Sequence, residues 1–145
     1  MKRSSILALI VLISILVSIP LVGCTQVDQR EALKQKALEW GVTLEKLQTS
    51  PEGVTIQQIE AFLEPSVARS QRAKEFRDGW TAQPISSSGS VNDVIISEDG
   101  IHGSVRYSSV EEYEGVKKVL TEITQWILID GIWYRTNQPS EQIYE

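Results

Sequence analysis

A chain of 145 residues with 14 Lys and Arg against 19 Asp and Glu, a net charge of −5 and a hydrophobic share of 41% can bury one ordinary core but not two. That acidity excludes an electrostatic grip on nucleic acid or on anionic headgroups. One cysteine and one histidine exclude an internal disulfide and a Cys/His zinc set.

The first 24 residues carry the most specific pattern. Lys2 and Arg3 precede an apolar run from Ile6 to Ile19, interrupted only by Ala8, Ser14 and Ser18, which is the layout of a secretory signal. The run to Val22 is short for a spanning helix, which needs about 20 apolar residues, and Pro20 breaks a helix near its end. Leu21-Val22-Gly23-Cys24 resembles the lipobox of bacterial lipoproteins, Leu-x-[Gly/Ala]-Cys. The resemblance implies diacylglyceryl transfer to the Cys24 thiol, cleavage between Gly23 and Cys24, and acylation, as by palmitate, of the new amino terminus. The expected organisation is a cleaved signal at 1–23, a lipidated cysteine and short tether at 24–29, an α+β domain at 30–137 and a polar tail at 138–145. Loss of Lys2 and Arg3 with the signal takes the net charge from −5 to −7, so the lipid at Cys24 has to supply the anchoring. The expected location is the exported side of a cell membrane or outer membrane.

Along the mature chain, Asp28 and Glu31 have the spacing of a capping box. Leu33, Ala37, Trp40, Leu44 and Leu47 then recur at steps of four and three, one face of an amphipathic helix. Gly41 is expected to divide that helix. Ser50-Pro51-Glu52-Gly53 predicts a turn or a new helix start, and Thr55 with Gln58 repeats the capping-box pattern ahead of Ile56, Ile59, Phe62 and Leu63. Pro65 predicts the opening of a helix from Ser66 to Arg77. It would bury Val67, Ala73 and Phe76, leave Arg69, Arg72, Lys74 and Arg77 in solvent, and end at Asp78-Gly79. Thr81 to Ser90, with Pro84 and Gly89, is expected to be a loop with room for an edge strand.

Asp99-Gly100 predicts a two-residue hairpin. It sets Glu98 opposite Ile101, Ile96 opposite Gly103, Val94 opposite Val105, Asn92 opposite Tyr107 and Asp93 opposite Arg106. Asp130-Gly131 predicts another, pairing Ile129 with Ile132, Ile127 with Tyr134, Leu128 with Trp133, and Trp126 with Arg135 as a cation–π contact. Ser108 to Gly115 is expected to be an exposed connection, and the tail from Asn137 to fray.

Helices followed by a meander that closes on Trp126-Ile127-Leu128-Ile129-Asp130-Gly131-Ile132-Trp133-Tyr134-Arg135 resemble the nuclear transport factor 2-like superfamily, over roughly Arg30 to Thr136. The resemblance implies an α+β fold, with N-terminal helices packed on a curved antiparallel sheet as a cystatin-like cone around a central pocket. Gly41 and the turn at Ser50-Pro51 depart from the long unbroken first helix of commoner members. The superfamily hosts isomerases, cyclases, dehydratases, transport factors and lipoproteins, so fold alone implies no activity.

An enzyme on such a cone needs an acid–base group in an apolar pocket, where desolvation shifts its pKa. The candidates are Glu122, Asp93, His102, Tyr107 and Tyr134. Asp93 reads as half of a surface ion pair with Arg106, and His102 as a strand residue beside a turn. Tyr107 and Tyr134 fall on apolar faces. Glu122 shares a face with Trp126 and is the strongest acid–base candidate if that face lines the pocket. Trp126, Trp133 and Tyr134 are the candidate ligand contacts. No Ser-His-Asp set, glycine-rich phosphate loop or metal spacing occurs, and no cofactor is expected. The leading expectation is a non-catalytic, lipid-anchored domain that binds a small apolar ligand or an envelope protein, as a monomer or homodimer. The alternatives are an isomerase or hydrolase using Glu122 or Asp93, and an accessory subunit of an envelope complex.

Overall fold

The computed structural model describes residues 25–81 and 85–144; the expected signal, with Gly23 and Cys24, lies outside the described residues. Helix α1 runs from Thr25 to Thr49 without a break. Its apolar stripe is the expected one, with Leu33, Ala37, Trp40, Leu44 and Leu47 all at most 5% exposed. One expectation at its start fails. Asp28 lies inside the first turn, where its charge complements the helix dipole, so the Asp28–Glu31 capping box does not form. Residues 25–29, read as tether, are helical.

Gly41 does not divide α1, and its role is steric. A Cβ at Gly41 would stand 2.5 Å from the Tyr107 hydroxyl oxygen, and the same ring closes on Gly89 from the opposite side. The helix accepts glycine's cost in propensity, about 1 kcal/mol relative to alanine, because the tyrosine ring lies against its backbone.

After a short 3₁₀ turn at Pro51–Gly53, helix α2 spans Ile56–Glu60. Its predicted capping box is present: the Gln58 backbone N–H donates to Thr55 Oγ1 at 3.2 Å, and the Thr55 N–H donates to Gln58 Oε1 at 2.7 Å. Helix α3 spans Arg69–Thr81, later at both ends than the Ser66–Arg77 expectation. Ala73 is buried and Phe76 packs on the core, but Val67 precedes the helix and is fully exposed. At the other end Asp78-Gly79 lies within the helix. Trp80 stacks on Phe76 at 5.6 Å and donates its indole N–H to the Leu44 carbonyl at 3.2 Å, which carries the helix past residues that favour stopping it. Arg69 and Arg77 are half-buried: they donate to the Glu60 carbonyl at 2.6 Å and the Pro51 carbonyl at 3.3 Å.

Five antiparallel strands follow: β1 Ile85–Ile96, β2 His102–Tyr113, β3 Val116–Ile129, β4 Ile132–Arg135 and β5 Glu141–Tyr144. The sheet is curved, in the order β1-β2-β3-β4, with β5 beside β4 on the same edge of β3. The fold is therefore α+β, with the helices laid against one antiparallel sheet. Between them lie Leu33, Leu47, Ile59, Leu63, Val105 and Trp126, all at most 2% exposed, each contributing about 1.5–3 kcal/mol by burial. Among the described residues no helix is long and apolar enough to cross a membrane.

The two predicted hairpins meet different fates. Asp130 (φ 50°) and Gly131 (φ 79°) make the expected two-residue turn, and all four predicted pairs from Trp126–Arg135 to Ile129–Ile132 form. At Asp99-Gly100 only Gly100 takes positive φ. The connection widens to the residues between Ile96 and His102, closed by the Ser97 N–H donating to the His102 carbonyl at 2.9 Å. The register from Ile96–Gly103 to Asp93–Arg106 is the predicted one, but a bulge between Val91 and Asp93 sets Val91, not Asn92, opposite Tyr107.

The expected exposed connection at Ser108 to Gly115 is instead the end of β2 and a third hairpin. Glu114 (φ 51°) and Gly115 (φ 79°) form its turn, with Tyr113 opposite Val116. The tail does not fray either, since β5 pairs with Leu120 to Ile123 of β3.

Candidate functional site

Alternation along β3 sends Leu120, Glu122, Thr124 and Trp126 into the interior, each at most 7% exposed. Trp126 donates its indole N–H to Thr124 Oγ1 at 2.8 Å, and Thr124 donates to the Val105 carbonyl at 3.4 Å. Trp126 is thus a satisfied core residue. Glu122 is a buried acid and needs a partner.

Arg135, the last residue of β4, supplies it. Its Nη2 lies 3.3 Å from Glu122 Oε1, with side chains 13% and 9% exposed. The chain on either side of Leu63 fixes the arginine's position: the Arg135 N–H donates to the Phe62 carbonyl at 2.6 Å, and the Glu64 N–H donates to the Arg135 carbonyl at 3.0 Å. The guanidinium faces Trp40 at 5.7 Å and Phe76 at 5.6 Å from the ring centroids, and not Trp126 as predicted. Among the described residues, Arg135 Nε and the Trp40 indole nitrogen have no hydrogen-bond partner. Burial pulls the Arg135 pKa down, and Glu122 pushes back. A guanidinium remains charged through such a shift at neutral pH.

Beside this pair, where α3 approaches the C-terminal ends of β2 and β5, a cavity of about 240 Å³ opens between Glu75, Phe76, Trp80, Glu111, Gln142 and Tyr144. Gln142 stands opposite Glu122 and Tyr144 opposite Leu120 in register. Burial pushes the Glu111 carboxyl above its usual range, and Glu122 adds to the shift. Burial also raises the Tyr144 phenol, with Glu111 and Glu122 contributing. The Glu111 and Glu122 carboxylates are therefore felt across one small volume.

The other candidates are placed elsewhere. Asp93 is about half exposed and pairs with Arg30 of α1 at 3.2 Å, not with Arg106 across the strands. His102 is half exposed, its Nδ1 2.6 Å from Asp99 Oδ2, so the orienting group it lacked in the sequence is the turn aspartate. That contact, together with the Ile101 and His102 amides, holds the Asp99 carboxyl at about 2. Tyr107 is the ring between Gly41 and Gly89; burial raises its phenol against a backbone hydrogen bond from Gly89. Trp133 is 3% exposed, and its indole nitrogen has no partner among the described residues. Tyr134 lies under the Arg69 guanidinium at 5.5 Å. The structure thus brings together Glu122 and Arg135, and leaves Asp93 and His102 at separate surfaces.

Sequence reasoning missed Glu111, Trp80, Gln142 and Tyr144. Trp80 was findable, since Ala73, Phe76 and Trp80 continue a step of three and four. Glu111 and the tail residues were not, because their strands were read as a connection and a frayed end. Among the described residues no three His, Cys, Asp or Glu side chains converge where a metal ion could sit. Compared with protein-family models, with curated proteins and with solved structures, the chain finds no match.

Proposed function

We propose that this chain is a bacterial lipoprotein, anchored through Cys24, whose helix-on-sheet domain is a non-catalytic binding module of the nuclear transport factor 2-like kind. The observation that carries the binding reading is the state of Glu122, the one buried carboxylate among the described residues. Glu122 is buried, as an acid–base catalyst would be, but its oxygen is engaged by Arg135 at 3.3 Å. The open volume lies beside that pair. A side chain committed to a buried ion pair is poorly placed to exchange protons with a substrate.

The long first helix, the curved sheet and the Asp130-Gly131 hairpin support the superfamily reading, and the lipobox supports the anchor. Thermal-shift screening of the full-length protein in nonionic detergent, against apolar acids, amines, sugars and sterol-like compounds, tests the binding module. A saturable rise in melting temperature for at least one class is expected, and a flat response to all of them would overturn the small-ligand reading. Cys24→Ala is expected to abolish incorporation of labelled fatty acid and release the protein from the membrane fraction.

A further inference from the structure

We propose that the cavity between α3, β2 and β5 binds a small organic ammonium cation, held by the Glu75 and Glu111 carboxylates and by the rings of Trp80 and Tyr144. The inference rests on the binding-module reading and names the ligand class for it.

Several observations converge on this chemistry. The lining residues Glu75, Phe76, Trp80, Glu111, Gln142 and Tyr144 include two acids and three aromatic rings, and no Lys or Arg. Ring faces carry negative quadrupole density, so aromatics and carboxylates together select a cation over a neutral or anionic guest. Glu111 is partly buried, and among the described residues it has no ion-pair partner. Lys118, opposite it in register, is exposed and does not come within ion-pair distance.

The same aromatic wall already accepts a cation from its inner side. Arg135 lies 5.6 Å from the Phe76 centroid, and Phe76 stacks on Trp80. The cavity is about 240 Å³, enough for a guest of a few heavy atoms and too small for a drug-sized one. Burial and the nearby Glu122 charge raise the Glu111 carboxyl, an electrostatic cost that a bound cation relieves.

The wall is built rather than accidental. The Trp80 indole N–H is tied to the Leu44 carbonyl at 3.2 Å, which fixes the ring's orientation. Gln71 donates to Glu75 at 2.8 Å, which restrains one carboxylate at the rim. Gln142 and Tyr144 arrive on a strand that pairs with β3 alone, so the site is complete only when the tail is docked.

Isothermal titration of the full-length protein in nonionic detergent, with choline and with n-butylammonium, reads the proposal directly. The neutral isostere 3,3-dimethylbutanol serves as the control. Saturable binding of at least one cation is expected, about tenfold or more tighter than the alcohol. Glu111→Gln, which keeps the side chain's shape, is expected to weaken cation binding about tenfold while leaving the melting temperature at or above the parent's. Tyr144→Ala, at an exposed strand end, is expected to weaken it about threefold to tenfold. Equal affinity for cation and alcohol, an unchanged cation affinity in Glu111→Gln, or no saturable cation binding would each overturn the inference. If the ammonium probes fail while another class in the thermal-shift screen binds, the cation inference alone falls. If no class binds, both readings fall.

Discussion

Arg135 and Glu122 are one device, and each is a liability without the other. Removing one partner leaves an uncompensated buried charge, so Glu122→Leu and Arg135→Met are each expected to cost about 3–5 kcal/mol. Replacing both, as Glu122→Leu with Arg135→Met, is expected to cost much less than the sum, because no charge is then left without a partner. Urea denaturation of the four proteins in a double-mutant cycle measures this. Asp99 makes a second residue-scale prediction, on pH. Its carboxyl is lowered from 3.8 to about 2, chiefly by His102 and then by the Ile101 and His102 amides. A depressed acid stabilises the fold fully above its unfolded value and loses that contribution as pH falls through the folded one. The gap in urea midpoint between the parent and Asp99→Asn should therefore be constant above about pH 5 and close between pH 4 and 2. A gap that persisted at pH 2 would count against the turn's electrostatic origin.

At the scale of elements, the contest is between local propensity and what lies across the core. Gly41 reads as a helix breaker, yet α1 passes through it because Tyr107 occupies the space where a Cβ would be. Gly41→Ala should gain about 1 kcal/mol of intrinsic helicity, and still lower stability by about 1–3 kcal/mol through overpacking. Tyr107→Leu in the same chain should restore much of that loss, and thermal melts of the pair separate the two effects. The hairpins make the same point with turn chemistry. Asp130-Gly131 supplies both positive-φ residues and forms the tight turn. Asp99 turns its side chain to the Ile101 and His102 amides instead, and the turn opens. Glu114-Gly115 closes a hairpin on a residue pair with a weaker signal than Asn-Gly or Asp-Gly, which is why that strand end reads as a loop.

For the whole molecule, the cavity lies far from the start of α1. Trp80, in its wall, bonds Leu44, about 28 Å along the helix from Thr25 at 1.5 Å per residue. The tail then has two duties, because β5 covers the β3 edge beside Glu122 and carries Gln142 and Tyr144 to the cavity. Deleting residues 138–145 is expected to cost about 1–3 kcal/mol from the lost cross-strand pairs, visible as a lower melting temperature. It should also abolish cation binding, even well below that temperature.

The α1 stripe, the Thr55–Gln58 cap and the pairs of the last hairpin were legible because each depends on neighbours within one turn or across one tight loop. Leu33 to Leu47 repeat at the helical period, and Asp130-Gly131 sets its own register, so no distant contact is needed to define them. Local sequence also marked Glu122 and Trp126 as sharing a face. It could not say which way that face points, because the alternation of β3 is the same whichever side the helices cover. That was decided by tertiary packing: α1 and α3 lie over the Glu122 side, Arg135 is drawn in to neutralise the acid, and β5 docks against an edge that no local pattern announces. Where a side chain's energy depends on a residue far along the chain, as for Glu122 with Arg135 or Gly41 with Tyr107, only the folded structure names the partner.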